Sequence, residues 1–496
     1  MAASDQLFQL VKSLNKTEKS YFKRNAHKRK QDQKSPYLEL FDVMNNLEDY
    51  EESALLKQLN GHFTKRTLKP AKKYLYDLLL KTLAEYYRDK IRITDNIVYF
   101  IQCQILMDKG LYQQAYKLAT KGYNQAMDEE VFPGACQFIH LFDEIAHQTG
   151  DMKAIEDVIT EKLDLGCELL EREINFLKLR KLCVRFFYLI RNRYKQNDEA
   201  SKQEIEAIIN DPLMSDEANW KSFRAKNMAY FVMVKYSRTA GQFKESLRFR
   251  KAHLDLFDNH PENIKKWRLP YIRIFNNYMN GLVFTHNFDL FEKEHQRFMA
   301  IETTAQNQRI YQLRSCIFQR LDYLNESRQF NNRTDWLEDM EAIFAENREK
   351  FNPLDNCFIY FLLGRHYFGG GQYEKALDHI NWVIDLKNEK VFADLQARAR
   401  ILYLLIHFEM NHFEHLKYAA ESTSRYLKKQ SRYFTSDKIL IRFFGNLYKS
   451  VNPKPQKMHY QTMVNELEAI KDDEKEAEVF EYFDLLAWAK EKLANQ

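Results

Sequence analysis

The stretch Phe358–Val391, FIYFLLGRHYFGGGQYEKALDHINWVIDLKNEKV, decides the fold of this chain. Two apolar-periodic segments, FIYFLLGRHYF and YEKALDHINWVI, flank the run Gly369–Gly371. Glycine adopts backbone conformations closed to other residues, so the run reads as a tight turn between two helices. Large and small apolar residues follow a set order through the unit. Tyr360, Leu363, Gly364 and Tyr367 mark the first helix; Tyr373, Ala376, Ile380 and Val383 mark the second. A lone helical hairpin cannot cover its own apolar face, so the unit predicts neighbours of the same kind.

Outward from it, the same turn recurs with an aromatic or other apolar residue two places later. The turn positions are Gly110, Gly150, Gly241, His286, Arg328, Gly371 and Asn411, spaced by 40, 91, 45, 42, 43 and 40 residues. The interval of 91 fits two units with a degenerate turn near Tyr194. About eight helical pairs with a period near 42 residues result. A positive φ is tolerable for Asn and less so for Arg, so the turns without glycine are not bound to the geometry of the others.

Counted as a 34-residue unit from Cys357, the order of residues resembles the tetratricopeptide repeat, a helix–turn–helix motif. The resemblance runs over roughly 94–430, with Asn388 standing where that family places a helix-ending proline. It implies an all-α, right-handed α-solenoid of about eight hairpins with divergent helical caps, organised as 1–93, 94–430 and 431–496. It also implies a concave groove lined by the first helix of each unit, here Lys235, Arg238, Arg273, Asn276, Asn280, Arg365 and Arg398. The earlier units place Phe100, Gln104, Met107, Gln137, His140 and Glu144 there, a less cationic set. Arginine and asparagine donors match a peptide backbone or a carboxylate. The expected partner is a protein or peptide, acidic or bearing a free C-terminal carboxylate.

The flanks differ in texture. Leu7, Leu10, Val11 and Leu14 have helical spacing, and Asn15–Glu18 reads as a capping box that restarts a helix. Between Lys12 and Lys34 there are nine basic residues against Glu18 and Asp32. Lys23, Arg24, Lys28, Arg29 and Lys30 are therefore candidate nucleic-acid contacts in a helix-turn-helix-like reader. The plainer reading is an N-terminal cap with a solvated charged face. At the other end, Asn452–Pro455 breaks a helix, and an apolar stripe through Val479, Phe480, Phe483, Leu486 and Trp488 suits a capping helix.

Composition agrees with long helices and short connections, because 496 residues hold only 13 Gly and 9 Pro. With 75 basic and 70 acidic residues the surface is mixed, so no general affinity for nucleic acid follows from charge. Six cysteines without CxxC spacing read as buried apolar residues in a reducing compartment, not as a disulfide frame. The start MAASDQLFQLVKSLNK lacks a signal-peptide pattern, and no apolar run approaches 18 residues, which makes the cytoplasm the expected location.

Chemistry-bearing candidates are few. Glu144/His147 and Glu292/His295 have the carboxylate–histidine spacing of di-iron bundles, but they fall on non-equivalent helices. His407, His412 and His415 cluster near a turn without HExxH, and Gly369–Gly371 lacks the strand and the GK[ST] of a phosphate loop. No GxSxG motif occurs. The expectation is a binding protein without catalytic residues, metal or cofactor. The competing expectation is a regulator that binds nucleic acid through its N-terminal helices while the repeats sense a peptide or protein.

Overall fold

The computed structural model describes residues 3–27, 36–59, 61–87, 94–192, 199–330, 335–387, 389–430, 433–449, 457–471, 473, 476 and 483–495. Among them there is no strand; the fold is all-α. Spatial proximity divides the chain into two compact units, Met1–Leu177 and Lys178–Gln496. The expected boundaries at 93/94 and 430/431 both touch residues outside those described.

In the first unit, helices α1 (Ala3–Ser13), α2 (Lys16–His27), α3 (Pro36–Asn46), α4 (Glu52–Gln58) and α5 (Lys65–Tyr87) share one core. Leu7, Val11, Phe22, Leu40, Phe41, Leu75 and Leu79 fill it. The capping box at the start of α2 is complete. Asn15 Oδ1 accepts from the Thr17 and Glu18 amides at 2.9 and 3.0 Å, and Glu18 Oε2 accepts from the Asn15 amide at 2.7 Å. Four further helices follow: α6 (Thr94–Asp108), α7 (Tyr112–Asp128), α8 (Phe132–Thr149) and α9 (Met152–Asp157). Each packs on its neighbour in sequence. Gly122 on α7 leaves the space that the Phe138 ring of α8 occupies. The long helix α10 (Leu163–Asn192) contains the division between the units.

The second unit continues with α11 (Glu199–Asn210), α12 (Pro212–Ser215), α13 (Phe223–Thr239), α14 (Phe243–Asp258), α15 (Pro261–Lys266), α16 (Arg268–Phe284) and α17 (Phe288–Met299). Then come α18 (Gln306–Glu326), α19 (Asp335–Asn347), α20 (Pro353–Gly369), α21 (Tyr373–Ile384), α22 (Glu389–Glu409) and α23 (Phe413–Lys429). The last are α24 (Thr435–Lys449), α25 (Lys457–Glu468) and α26 (Leu485–Ala494). Helix α13 packs on α14, α14 on α16, α16 on α18 and α18 on α20; α20 to α25 then pack in succession, and α25 on α26. A single core runs from Ile317 through Leu363, Ile380 and Leu404 to Phe444 and Trp488, so the C-terminal helices continue the core of the hairpins. Of the expected C-terminal stripe, Phe483 packs on Phe368 and Trp488 is buried, while Val479 and Phe480 lie outside the described residues.

All seven turn positions have the left-handed backbone. Gly110, Gly150, Gly241 and Gly371 lie at φ 66–71°, and His286, Arg328 and Asn411 at φ 54–59°. Each makes the paired bonds of a Schellman motif. Around Gly371, for example, its own amide donates to Phe368 O at 3.1 Å and the Gln372 amide to Tyr367 O at 2.9 Å. Glu130, between α7 and α8, is an eighth such residue at φ 53°. The degenerate turn expected near Tyr194 lies outside the described residues.

Arg328 therefore holds a conformation that costs an L-residue roughly 1–2 kcal/mol. Glycine avoids that cost and gives back part of it, roughly 0.5–1 kcal/mol, through its freer unfolded chain. Arg328→Gly is expected to stabilise by about 0.5 kcal/mol, read as a small rise in the midpoint of thermal unfolding. A lowered midpoint would show that the Arg328 side chain contributes more than its backbone costs.

Candidate functional site

The packing of α13, α14, α16, α18 and α20 leaves a cavity of about 770 Å³ in the second unit. Its wall is aromatic: Phe243, Phe284, Phe318, Phe358 and Phe361. Over that wall stand four cationic side chains, Arg238, Arg250, Arg365 and Lys471, and three carboxylates, Asp322, Glu326 and Asp484. An apolar wall carrying a few placed polar groups is the usual composition of a ligand site.

The backbone explains much of this placement. Arg250 leaves α14 and crosses α16 at Gly281, where a Cβ would come within 2.8 Å of Arg250 Cδ and 3.1 Å of Leu247 Cδ1. The guanidinium then donates through Nη1 to Asn277 O and through Nε to Ser246 Oγ at 3.4 Å. Arg365 on α20 donates to Glu326 on α18 at 2.7 Å, so two successive first helices are joined across the cavity. Asp484 accepts from the Ala487 amide at 2.8 Å and starts α26. Part of the negative charge is thus neutralised within the fold, and Arg238 and Asn280, which also line the cavity, are exposed residues.

Three of the seven residues expected in the groove, Arg238, Asn280 and Arg365, line this cavity. Lys235 is exposed on α13, and Arg273 is exposed on α16 with its guanidinium 5.4 Å from the Tyr311 ring. The other two differ from expectation. Asn276 is buried and accepts from Gln319 Nε2 at 2.9 Å. Arg398 is buried against Asp437, bonded at 2.9 and 3.0 Å. Both fall on first helices, but the following unit closes over them, which makes them supports of the stack instead of groove donors. Arg250, Lys471 and Asp484 were not expected. Arg250 belongs to a second helix, and the one trace of it in sequence is Gly281, a glycine inside a helix with no turn to make.

Elsewhere the chemistry-bearing candidates that fall among the described residues make contacts within the fold. Lys23 pairs with Asp42 at 2.6 Å, and Arg24 lies over the Tyr21 ring at 5.4 Å. Lys28, Arg29 and Lys30 lie outside the described residues. His147 sits 3.3 Å from Asp143, while His295 is buried and stacked on Phe291. His407 Nδ1 is 3.0 Å from His412 Nδ1, and His415 Nε2 is 2.8 Å from Tyr403 Oη. No group of three or more His, Cys, Asp or Glu converges as a metal site among the described residues. Burial pushes the thiol of Cys103 up to about 11 and those of Cys183, Cys316 and Cys357 up to about 12, which leaves them protonated and poor nucleophiles. Of the three glycines at 369–371, Gly371 forms the turn, and the Phe330 ring packs where a Cβ of Gly369 would be. No described helix is long and apolar enough to cross a membrane. The chain matches no family model and no curated protein.

Proposed function

We propose that this chain is a non-catalytic protein-binding scaffold, a right-handed superhelix of about eight tetratricopeptide-like hairpins whose concave side takes up a peptide segment of a partner. The observation that carries the reading is the convergence of Arg238, Asn280 and Arg365, from three different first helices, on one aromatic-walled cavity. Left-handed Schellman turns at the repeat positions and neighbour-on-neighbour packing support the solenoid. The aromatic wall would take apolar side chains of the ligand. Arg238 and Asn280 would take its backbone carbonyls and an acidic side chain or terminal carboxylate, through charge-assisted hydrogen bonds.

The test is a random-peptide selection on the intact chain. Wild-type protein should enrich acidic or carboxyl-terminal sequences, and the exposed-site double variant Arg238→Glu/Asn280→Ala should bind them at least ~10-fold more weakly, since a charged hydrogen bond contributes about 1.5–3 kcal/mol. Equal binding by the folded double variant would remove the cavity from the account.

A further inference from the structure

Helix α10 (Leu163–Asn192) is apolar on two opposite faces, and the chain itself covers only one of them. Leu169, Phe176, Leu179, Cys183 and Phe186 are buried. On the opposite side Leu163, Leu170, Ile174, Leu177, Val184 and Tyr188 are 40–60% exposed. Their spacing is the heptad of a coiled-coil seam. Leu163, Leu170, Leu177 and Val184 fall seven apart on one core position, and Cys167, Ile174, Lys181 and Tyr188 on the other. A helix apolar all round is normally buried all round.

The flanking charges identify what covers this face. The charged residues beside the seam are Asp164, Glu171 and Glu173 in the first half, then Lys178, Arg180 and Arg185 in the second. We propose that two copies of this chain pair through an antiparallel coiled coil of their α10 helices. In that arrangement Ile174 meets Leu177 of the partner subunit, and Cys167 meets Val184 of the partner subunit. The same register sets Glu171 against Lys178 of the partner subunit, and it puts Glu173, whose Oε2 is buried within its own chain, on the side of Arg180 of the partner subunit. It also brings Asp164 to Arg185 of the partner subunit, a guanidinium that already holds Glu204 at 2.5 and 2.9 Å within its own chain. Every flanking pair is attractive, and the twofold axis doubles each one. A parallel pair would instead bring Arg180 against Arg185 of the partner subunit. Lys181 lies in the seam opposite Leu170 of the partner subunit. A basic residue there weakens the coil and fixes its register, with the stem on the apolar seam and the ammonium reaching water. The seam from Leu163 to Tyr188 is ~38 Å long, enough for four core layers.

Sedimentation of the full chain at micromolar concentration tests the proposal, with circular dichroism to confirm equal helix content in each variant. Wild-type protein should be a dimer. Glu171→Lys alone and Lys178→Glu alone each turn two attractive pairs into repulsive ones, and each should weaken the dimer about tenfold. An equimolar mixture of the two variants should recover wild-type affinity. Under mild oxidation Val184→Cys should form a covalent dimer through the native Cys167. A monomeric wild type, or a dimer indifferent to both reversals, overturns the proposal. A wild-type dimer linked from Cys167 to Cys167 overturns the antiparallel register.

Discussion

Lowering the pH from 7 to 5 is expected to remove about 4 kcal/mol from the stability of the second unit through His253 and His295 alone. His253 is buried among Tyr230, Phe231 and Phe257, with Nε2 2.9 Å from Asn227 Oδ1. Burial pulls its pKa down to about 3. His295 is buried and stacked on Phe291; burial first, and the Arg320 charge second, pull it down to about 4. The unfolded chain titrates near 6.5. Below that value the unfolded state takes up protons that the folded state refuses, so stability falls as pH drops from 6.5 towards 4 for His295 and towards 3 for His253. Each pH unit in that window corresponds to about 1.4 kcal/mol per histidine. His407, pulled down to about 4 by burial and by His415 and His412, acts with the same sign. Since a domain is stable by only about 5–15 kcal/mol, this loss is large. Urea midpoints at pH 7, 6 and 5 measure it, and His253→Gln with His295→Leu should flatten the profile. Equal midpoints at pH 7 and 5 in the wild type would mean that these imidazoles reach water in the folded state.

Asp437→Ala is expected to destabilise by about 3–5 kcal/mol, the cost of leaving a buried cation without its partner. Arg398 grips both oxygens of Asp437, its guanidinium lies 5.3 Å from the Phe434 ring, and Asp437 Oδ2 also accepts from the Phe434 amide at 3.2 Å. Burial holds the Asp437 carboxyl above its usual range, and the Arg398 charge and hydrogen bonds offset only part of that rise. Glu476 completes the start of α24, accepting from the Thr435 and Ser436 amides at 2.6 and 3.1 Å. The pair joins α22 to α24, so the loss should appear as early melting of the C-terminal helices. Replacing both partners, Arg398→Met with Asp437→Leu, should return most of the stability because no charge is then stranded. A cost below about 1 kcal/mol for Asp437→Ala would show that water reaches Arg398.

How much of this was legible in sequence depended on whether a residue's role is local. The Asn15–Glu18 capping box and the seven left-handed turns are local, and their spacing carried even Arg328 and His286, whose side chains argue against such a backbone. Glu130 has the same geometry but no glycine, and no repeat position pointed to it. Roles set by a neighbouring hairpin were not legible. The first-helix register placed Asn276 and Arg398 beside Asn280 and Arg365, yet Gln319 and Asp437 from the next units cover the first two. Arg250 reaches the cavity only because Gly281 lets it pass, and Lys471 and Asp484 arrive from the C-terminal segment. Helix α10 offers no single direction of burial in its sequence, because both its faces are apolar.

On the proposed function, the aromatic-walled cavity, and not the outer surface, receives the partner. Site-specific photocrosslinking on the intact chain tests it most directly, with a photoreactive residue at Asn280 in the cavity or at Tyr418, which is 70% exposed on α23. With a peptide selected on the wild-type protein, crosslinking is predicted at 280 and not at 418. Crosslinking at 418, with none at 280, would contradict the account.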